Sequence, residues 1–410
     1  MDATAEKVQR PLDGVRILAV EQMAALPFAT QLMARLGADV VKIEHPSTGE
    51  SGRGSLPAIS DPDGRSVGAT FLRNNLNKRS VGIDLKQAEG VELVLRMARN
   101  FDVFGENFRA GTADRLGIGY DAIYAVNPAV VYLSVSGFGQ DPASPYHDMG
   151  AYASIVEAMS GIYEFKRAPG RAPTANPVGA LGDISSALFG TVGVLAALRQ
   201  RDQTGVGQHV DVAMLDATVA MTDIVANFYS MGVEREWGSG VGIVDTFAAS
   251  DGYFVLQCVR EHHFAVLCAE IGHPELADDP RLATRAGWQD HLEGLLRPTI
   301  ERWSASRTTK EVVSLLSTAG LACGPSLTPA QVVSDPHLAL RDMLIETTPG
   351  DAQAPVLVPG NPVKLSRVPK VDDTRVPWLG EHTEDVLAAE LGLDSDELGK
   401  LRSRGVIGPT

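Results

Sequence analysis

Asp183 is the residue of this chain whose type and setting are best suited to chemistry. It stands between a Pro- and Gly-rich approach, residues 177–182, and an apolar segment without further charges that continues to Leu198. Such a segment predicts a buried helix, and an acid at its start predicts an N-cap that accepts from free backbone N–H groups. A carboxylate shielded by apolar neighbours can also act as a nucleophile. The residue alone leaves both roles open.

A cluster of positive charge stands out against the formal net charge of −15. Arg73, Lys78, Arg79 and Lys86 fall within a short stretch of this acidic chain. Lys and Arg side chains in such a cluster can bind phosphates. A solvated basic surface would show the same pattern, so the two interpretations stay equal at this point.

A second polar segment follows, with Asn107, Phe108 and Arg109 in succession and Arg115 shortly after. Both polar segments lie at or beside predicted strand ends, where an open α/β sheet binds its ligands. Phe108 offers a flat surface for a purine base. The sequence therefore favours a site for an anionic, nucleotide-like ligand here.

Composition narrows the class of protein. A chain of 410 residues with 44% hydrophobic content is long enough for two domains. The net negative charge argues against nucleic acid as a partner. The N-terminus lacks the pattern of a signal peptide, and no apolar run is expected to reach the ~20 residues that span a bilayer, so we expect a cytoplasmic protein without a membrane partner.

The cysteines and histidines do not predict a metal site. Cys258, Cys268 and Cys323 have neither metal-binding spacing nor the number needed for a disulfide framework, so we expect reduced thiols. The adjacent pair His262 and His263 seldom shares one face of a helix.

The elements that must position these residues alternate between strands and helices. Strands are predicted at residues 15–20, 39–44, 80–85, 102–106, 130–135 and 208–212, with helices at 28–36 and 89–99. This alternation predicts an α/β fold with a Rossmann-like, doubly wound parallel sheet. A long apolar helix is predicted over residues 213–231, a strand over 253–258 in a smaller α+β unit, and a last helix from Thr383 to near Gly392, with Thr383 as its cap.

A dinucleotide site is not favoured. The first strand-to-helix turn, residues 21–27, contains no glycine, so the Gly-x-Gly-x-x-Gly fingerprint is absent. Glu44 could imitate the ribose-binding acid of that fold, but without the glycines a surface or capping carboxylate is the better interpretation.

Several short motifs follow one another in the order found in class III (CaiB/BaiF) CoA-transferases, from about residue 11 to 407. They are residues 77–80 with 84–86, 106–109, 115–120, 136–140, 182–183, 204–208, 323–325 and 380–383. The chain therefore resembles that family, of the formyl-CoA transferase type, which also contains α-methylacyl-CoA racemases. An ordered set of motifs is far more specific than any single one.

The resemblance implies an architecture. It implies a large Rossmann-like CoA-binding domain over residues 1–224, completed by a return segment over 331–410, and a small α+β domain over 225–330. It also implies an interlocked homodimer. CoA thioesters are then substrates, and no tightly bound cofactor or metal is expected.

The resemblance also implies site residues. The family's catalytic aspartate falls on Asp183, and its CoA contacts fall on Ile83, Asn107, Phe108 and Arg115. The basic residues Lys78, Arg79 and Arg109 are expected to add contacts to CoA. A glycine-rich loop that shields the intermediate matches Gly238, Gly240 and Gly242, with Gly240 in a catalytic role.

Two positions depart from the family pattern. Ala24 replaces a glutamine of the formyl-CoA transferase, and Pro145 lies near the position of a lysine of that enzyme. The oxalate and formate specificity should therefore not be transferred to this chain.

The expected reaction is CoA transfer from an acyl-CoA donor to a carboxylic acid acceptor, with Asp183 as nucleophile and a mixed anhydride and an aspartyl-CoA thioester as intermediates. One alternative is an α-methylacyl-CoA racemase that uses His147 and Asp183 as acid and base; His147 can equally be a packed histidine. Residues 77–80, 179–183 and 238–242 look more like a transferase. A second alternative is a non-catalytic CoA-binding protein.

Overall fold

The computed structural model describes residues 9–60, 64–165, 167, 170–175, 179–222, 227–232, 242–347, 356–368, 373 and 375–408. The chain divides into two compact units. Unit 1 comprises Met1–Tyr163, Ala172–Ala226 and Asp342–Thr410, and unit 2 comprises Glu164–Arg171 and Asn227–Arg341. Unit 1 therefore contains both ends of the chain.

A parallel sheet forms the centre of unit 1. The strands up to residue 213 are β1 (Arg16–Val20), β2 (Asp39–Glu44), β3 (Ala58–Ser60), β4 (Ser66–Gly68), β5 (Lys78–Gly82), β6 (Val103–Glu106), β7 (Val131–Ser136) and β8 (Gln208–Ala213). Six of them pair in parallel in the order β5-β2-β1-β6-β7-β8. When these six strands are renumbered 1 to 6 along the chain, their order across the sheet is 3-2-1-4-5-6, the order of the doubly wound fold. The predicted α/β fold with a parallel sheet is confirmed.

Helices cover both faces of this sheet. The helices up to residue 220 are α1 (Ala25–Arg35), α2 (Ala69–Asn74), α3 (Ala88–Ala98), α4 (Thr112–Leu116), α5 (Tyr120–Val126), α6 (Ala153–Met159), α7 (Ile162–Phe165), α8 (Leu181–Thr204) and α9 (Met214–Ala220). Neighbouring residues of a strand face opposite sides. Leu18 accordingly packs in the core with α3 and α5, while Ile17 packs in the core with α1 and α8.

Unit 2 is an α+β unit built on an antiparallel sheet. Its strands are β9 (Ile243–Ala249), β10 (Gly252–Cys258) and β11 (Ala322–Ser326), in the order β11-β10-β9. Its helices are α10 (Glu261–Glu270), α11 (Arg285–Asp290), α12 (Arg297–Ser304), α13 (Thr309–Thr318), α14 (Pro329–Val333) and α15 (Pro336–Leu340). Buried and exposed residues alternate along β10, so this sheet has one core face. Cys258 and Cys268 lie in that core as free thiols, and burial raises the pKa of each to about 12.

The C-terminal segment returns to the parallel sheet. It contains β12 (Leu344–Thr347), β13 (Val356–Pro359), α16 (Thr383–Leu391) and α17 (Ser395–Ser403), and Ile407 forms an antiparallel bridge with Ile83. The prediction that Thr383 caps α16 is wrong. Thr383 is the first residue of the helix, and its Oγ1 accepts from the backbone N–H of Gly82 at 3.0 Å. Helix α17 was not predicted.

Two predictions about apolar segments need correction. The helix predicted over residues 213–231 is shorter, because α9 ends at Ala220 with Met221 and Thr222 bonded three residues back. Within the described chain, α8 is long and apolar enough by length and composition to cross a bilayer, contrary to expectation. Half of that apolar stretch is buried inside the fold.

Candidate active site

Asp183 lies in the first turn of α8, as the third residue of the helix. The prediction that it is the N-cap is wrong, because Ala180 holds that position in a left-handed conformation, with φ of 55° and no side-chain cap bond. The residue is half-buried. No described residue forms a hydrogen bond or an ion pair with its carboxylate. The positive end of the helix dipole favours a negative charge in this turn.

The cap of α8 comes from another helix. Glu157, on α6, is 2% exposed; its Oε1 accepts from the backbone N–H of Gly182 at 3.2 Å, and its Oε2 accepts from the hydroxyl of Tyr163 at 2.6 Å. Gly182 allows this close approach, because a Cβ there would meet Val156 Cγ2 at 2.7 Å. Since Glu157 performs the capping, the carboxylate of Asp183 stays free.

Glu157 was not identified from the sequence, although a signal existed. It is the one charged residue between Asp148 and Glu164. A lone acid in a stretch of small and apolar residues is rarely buried without a partner. The partner, however, lies at the start of a different helix and cannot be inferred from local pattern.

The surroundings of Asp183 change its acidity. Burial and, to a lesser extent, the charge of Glu157 raise the pKa of this carboxyl to about 6, although the charge of the Arg73 guanidinium opposes the rise. Asp183 is therefore ionised at neutral pH yet more basic than an ordinary aspartate. Higher basicity makes a carboxylate a stronger nucleophile and a stronger proton acceptor.

Arg73 carries the positive charge that lowers the pKa of Asp183. It lies on α2, is exposed, and its guanidinium carbon is 5.8 Å from the centroid of the Phe28 ring. Its backbone oxygen accepts from Gln31 Nε2 at 2.8 Å. Across the described ranges, no acceptor bonds to the guanidinium itself. The sequence showed Arg73 only as a member of a basic cluster.

The loop after β6 is fixed to the loop after β1. Asn107 Oδ1 accepts from the backbone N–H of Gln22, and its Nδ2 donates to the backbone oxygen of Gln22, both at 2.8 Å. Phe108 is partly buried against the core, and its N–H donates to Glu106 Oε2 at 2.8 Å. These contacts hold Asn107 and Phe108 at the carboxyl end of β6, the edge where such sheets bind ligands.

Glu106 is a buried acid that the sequence showed only as part of a motif. Burial raises its pKa to about 7, although bonds from the N–H of Phe108 and from Ser134 oppose the shift. The charges of Asp114 and Asp211 raise this pKa as well. Glu106 therefore orders the loop whether or not it carries a proton.

Two predicted CoA contacts are accessible cations. Arg109 has its Nη2 3.8 Å from the carboxylate of the exposed Asp148, and Arg115 donates to Thr112 Oγ1 at 2.8 Å. Exposed pairs of this kind contribute little free energy, so an anionic ligand can replace them. Arg109 and Arg115 lie in the same segment as Asn107 and Phe108.

Lys78 and Arg79 are placed differently from the prediction. The Lys78 ammonium is fully buried and donates to Glu21 Oε1 at 2.6 Å, Pro27 O at 2.9 Å and Asn75 Oδ1 at 3.0 Å. An ammonium has three N–H donors, so none remains for a phosphate, which corrects the assignment of Lys78 as a CoA contact. Burial lowers its pKa to about 8.

Arg79 is the second correction among the basic residues. Its guanidinium forms two hydrogen bonds with Asp39, at 3.1 and 2.5 Å. Asp39 is the first residue of β2, so Arg79 lies at the amino end of the strands. The loop with Asn107 follows the opposite ends, and Arg79 is therefore not part of that site.

The remaining predicted residues are less informative. Ile83 is buried, and its side chain belongs to the core, so a CoA contact there stays a prediction. His147 lies in the loop between β7 and α6; its Nδ1 is buried and has no hydrogen-bond partner in the described parts of the chain. The structure gives no contact between His147 and Asp183. Gly238 and Gly240 lie outside the described residues, and Gly242 has φ of 101°.

The comparison with known families settles what kind of protein this is. Residues 12–383 match the sequence model of CoA-transferase family III. The chain belongs to CoA-transferase family III. The family predicted from the ordered motifs is thus confirmed.

Full-length relatives support this membership. The formyl-CoA:oxalate CoA-transferase of Streptomyces avermitilis is 36% identical, over 97% of this chain and all of that protein. The succinyl-CoA–D-citramalate CoA-transferase of Chloroflexus aurantiacus is 33% identical, over 98% of this chain and all of that protein. A solved CAIB/BAIF family protein from Brucella suis has a TM-score of 0.81 at 31% identity and covers 93% of this chain and all of its own.

Membership fixes the general activity. A family III CoA-transferase is an enzyme of the CoA-transfer class that uses CoA thioesters as substrates. This removes the non-catalytic CoA-binding protein from the alternatives. Within the described ranges, no group of three His, Cys, Asp or Glu side chains could hold a metal ion.

Proposed function

We propose that this enzyme transfers CoA from an acyl-CoA donor to a carboxylic acid acceptor with Asp183 as the nucleophile. One observation carries the proposal. Asp183 is half-buried at the start of α8 and has no hydrogen-bond or ion-pair partner in the described structure, while the neighbouring acid Glu157 satisfies the helix end. Burial of a carboxylate without a partner is unfavourable, so a carboxylate that the fold keeps in this state is suited to react with a ligand.

The first half-reaction loads CoA onto the enzyme. A carboxylate oxygen of Asp183 attacks the thioester carbonyl of the donor, the C–S bond breaks, and CoA leaves as a thiolate, giving a mixed anhydride. The thiolate then attacks the aspartyl carbonyl, and the donor acid leaves as a carboxylate. Asp183 is now an aspartyl-CoA thioester, and nothing has been oxidised or reduced.

The second half-reaction reverses these steps with the acceptor. The acceptor carboxylate attacks the aspartyl thioester, CoA leaves as a thiolate, and a new mixed anhydride forms. The thiolate attacks the acceptor's acyl carbon and releases the new acyl-CoA with free Asp183. Both covalent intermediates hydrolyse readily, so the apolar surroundings of Asp183 serve to exclude water.

CoA itself is expected to bind along residues 107–115. Phe108 provides a flat face, and Arg109 and Arg115 provide charges whose present contacts are weak and exposed. Asn107 fixes the loop that carries them. This arrangement matches a ligand with an aromatic base and several phosphates.

A second candidate is an α-methylacyl-CoA racemase, which the buried, unbonded Nδ1 of His147 favours. In that reaction His147 and Asp183 would remove and return the proton beside the thioester. Incubation with a 2-methylacyl-CoA in deuterated water separates the two. Deuterium exchange that depends on His147, without transfer of CoA to an acid, would replace the transferase proposal.

A homodimer is also expected. One face of α8 exposes large apolar side chains, Leu188, Phe189 and Val192, the last of them 64% exposed. Exposed apolar patches of this kind commonly mark interfaces with another chain. Light scattering coupled to gel filtration should give twice the mass of the 43.6 kDa chain.

Trapping the covalent intermediate tests the nucleophile. The wild-type enzyme, mixed with a panel of acyl-CoA thioesters and quenched in acid, should gain the mass of CoA less one water on the peptide that contains Asp183. Asp183→Asn should gain none. Asp216→Asn is the matched control, since Asp216 is an exposed acid in the first turn of α9. An adduct that persists in Asp183→Asn would refute the assignment.

A further inference from the structure

Arg73 differs from the other arginines around it in having no protein acceptor in the described structure. Arg35 donates to Asp373 and to the backbone oxygen of Pro359. Arg53 is buried and holds Glu44 through two bonds of 2.7 Å. Arg73 is exposed, and its five N–H donors are available to a ligand.

The position of the Arg73 side chain is nevertheless restrained. Its guanidinium carbon is 5.8 Å from the centroid of the Phe28 ring, within the range of a cation–π contact. Helix α2, which carries Arg73, is bonded to α1 through Gln31 Nε2 and the backbone oxygen of Arg73. Such a contact orients a cation without using its N–H donors.

Arg73 lines a small cavity in unit 1. The cavity has a volume of about 120 Å³, and apolar side chains including Phe28, Met343 and Pro359 form much of its wall. No acidic residue is among the described residues that line it, and its other guanidinium, that of Arg35, is already bonded to Asp373. None of the described lining residues can therefore neutralise Arg73, whereas an anionic ligand could.

The cavity is linked to the proposed nucleophile through helix α1. Helix α1, which carries Phe28, packs against both α2 and α8. The charge of Arg73 also lowers the pKa of Asp183, which requires the two groups to be within electrostatic range. A substrate bound at Asp183 can thus extend toward Arg73.

We propose that Arg73 is a specificity-determining residue that binds a second carboxylate of the acceptor acid, so that this enzyme prefers dicarboxylic to monocarboxylic acceptors. The inference rests on the proposed transfer reaction. One carboxylate of the acceptor reacts at Asp183, and the other pairs with the guanidinium of Arg73 through a bidentate contact. The apolar wall accommodates the carbon chain between them.

The test compares acceptors that differ only in the second carboxylate. Succinate is paired with butyrate and glutarate with valerate, each with the same acyl-CoA donor, and kcat/KM is measured for each acceptor. The wild-type enzyme should prefer the dicarboxylate of each pair. Arg73→Leu should lower the ratio of the two kcat/KM values by about 10–100-fold, the effect expected from losing a charged hydrogen-bonded pair.

Two further variants sharpen the result. Arg73→Lys keeps the charge but loses the bidentate geometry, so its ratio should fall between those of the wild type and Arg73→Leu. Arg199→Leu is the matched control, because Arg199 is an exposed arginine on α8, about 24 Å along the helix from Asp183. It should leave the ratio unchanged.

Several outcomes would overturn the inference. These are a wild-type enzyme without preference for dicarboxylates, an equal loss with both members of a pair in Arg73→Leu, or a loss that appears only as a raised KM for the acyl-CoA. The aspartyl-CoA adduct provides an independent reference. Arg73→Leu should still form it from butyryl-CoA, whereas its absence from the wild-type enzyme would reject the transfer reaction itself.

Discussion

Two groups of charged residues in unit 1 have opposite surroundings. One group is buried and fully paired, and we call it the paired network: Glu21, Lys42, Glu44, Arg53 and Lys78. The other is the open pair, Asp183 and Arg73, which have no partner of their own in the described structure.

The acids Glu21 and Asp183 show what the difference means. Burial raises the pKa of both, but in Glu21 the charges of Lys78 and Lys42 outweigh burial and hold its pKa below the usual value. In Asp183 the charge of Glu157 adds to burial, the charge of Arg73 only partly opposes them, and the pKa is about 6. A paired buried acid supports the fold, whereas an unpaired one is disfavoured by the fold and is available for reaction.

Replacement of Asp183 by Asn should give the largest effect on activity. We expect kcat to fall by about 10⁴-fold or more, because the amide removes the nucleophile of a covalent mechanism. Steady-state CoA transfer measures the loss, and CoA binding measured by calorimetry should persist. Turnover in Asp183→Asn within tenfold of the wild type would show that Asp183 is not the nucleophile.

Replacement of Lys78 by Met should instead reduce stability. It leaves the buried carboxylate of Glu21 with the more distant cation Lys42, 3.5 Å away, and the hydroxyl of Thr30, so we expect the free energy of unfolding to fall by about 3 kcal/mol. Urea denaturation measures this change. The double variant Lys78→Met with Glu21→Gln should recover part of the loss, because no unpaired charge remains.

Arg79→Met is the matched control for the paired network. Arg79 follows Lys78 on β5, but its partner Asp39 is 43% exposed, so the loss should be below about 1 kcal/mol. In Lys78→Met, assayed under conditions in which the variant is folded, the KM for acyl-CoA should equal the wild-type value. A raised KM would restore Lys78 as a CoA contact.

The sequence predicted the sheet well for a physical reason. Strands of a parallel sheet are buried on both faces and therefore appear as continuous apolar runs such as residues 17–20, which form most of the observed β1. The ordered motifs then identified the family and placed Asp183. Neither result required knowledge of contacts between distant residues.

The assignments of charged residues that failed depended on such contacts. Asp183 was taken for a cap because the actual cap, Glu157, is 25 residues along the chain from Gly182, whose backbone N–H it accepts. Lys78 was taken for a phosphate ligand because its partner Glu21 is 57 residues away. Local composition shows that a charge is present, but only the tertiary fold determines whether another residue neutralises it.

The acidity of Asp183 should appear in the pH dependence of transfer. The ionised carboxylate is the nucleophile and its pKa is about 6, so kcat/KM should be constant above pH 7 and fall about tenfold per pH unit below 6. Protonation removes the nucleophile, which fixes the sign. Rates measured from pH 4.5 to 8.5 with a donor that does not titrate test this expectation.

Glu157→Gln sharpens the same experiment. Glutamine can still accept from the N–H of Gly182, but it removes the negative charge that raises the pKa of Asp183. The fall of kcat/KM at acid pH should therefore occur at a lower pH than in the wild type, with little change in the rate at pH 8. If kcat/KM falls at the same pH in Glu157→Gln as in the wild type, the titration of a group other than Asp183 controls it.

The smallest expected effect is a gain in stability when Asp183 is removed. Its folded pKa of about 6 lies above its usual value of 3.8, so the folded state retains a proton that the unfolded chain loses between these pH values. The wild-type enzyme should consequently lose stability relative to Asp183→Asn as pH rises from 3.8 to about 6, on the order of 1 kcal/mol after allowance for partial exposure. Urea denaturation of both proteins at pH 4 and pH 8 measures the difference. If the wild type and Asp183→Asn are equally stable at pH 8, the fold does not disfavour the ionised carboxylate. If Asp183→Asn is more stable at pH 8 but not at pH 4, the enzyme keeps this carboxylate for its reaction at the expense of stability.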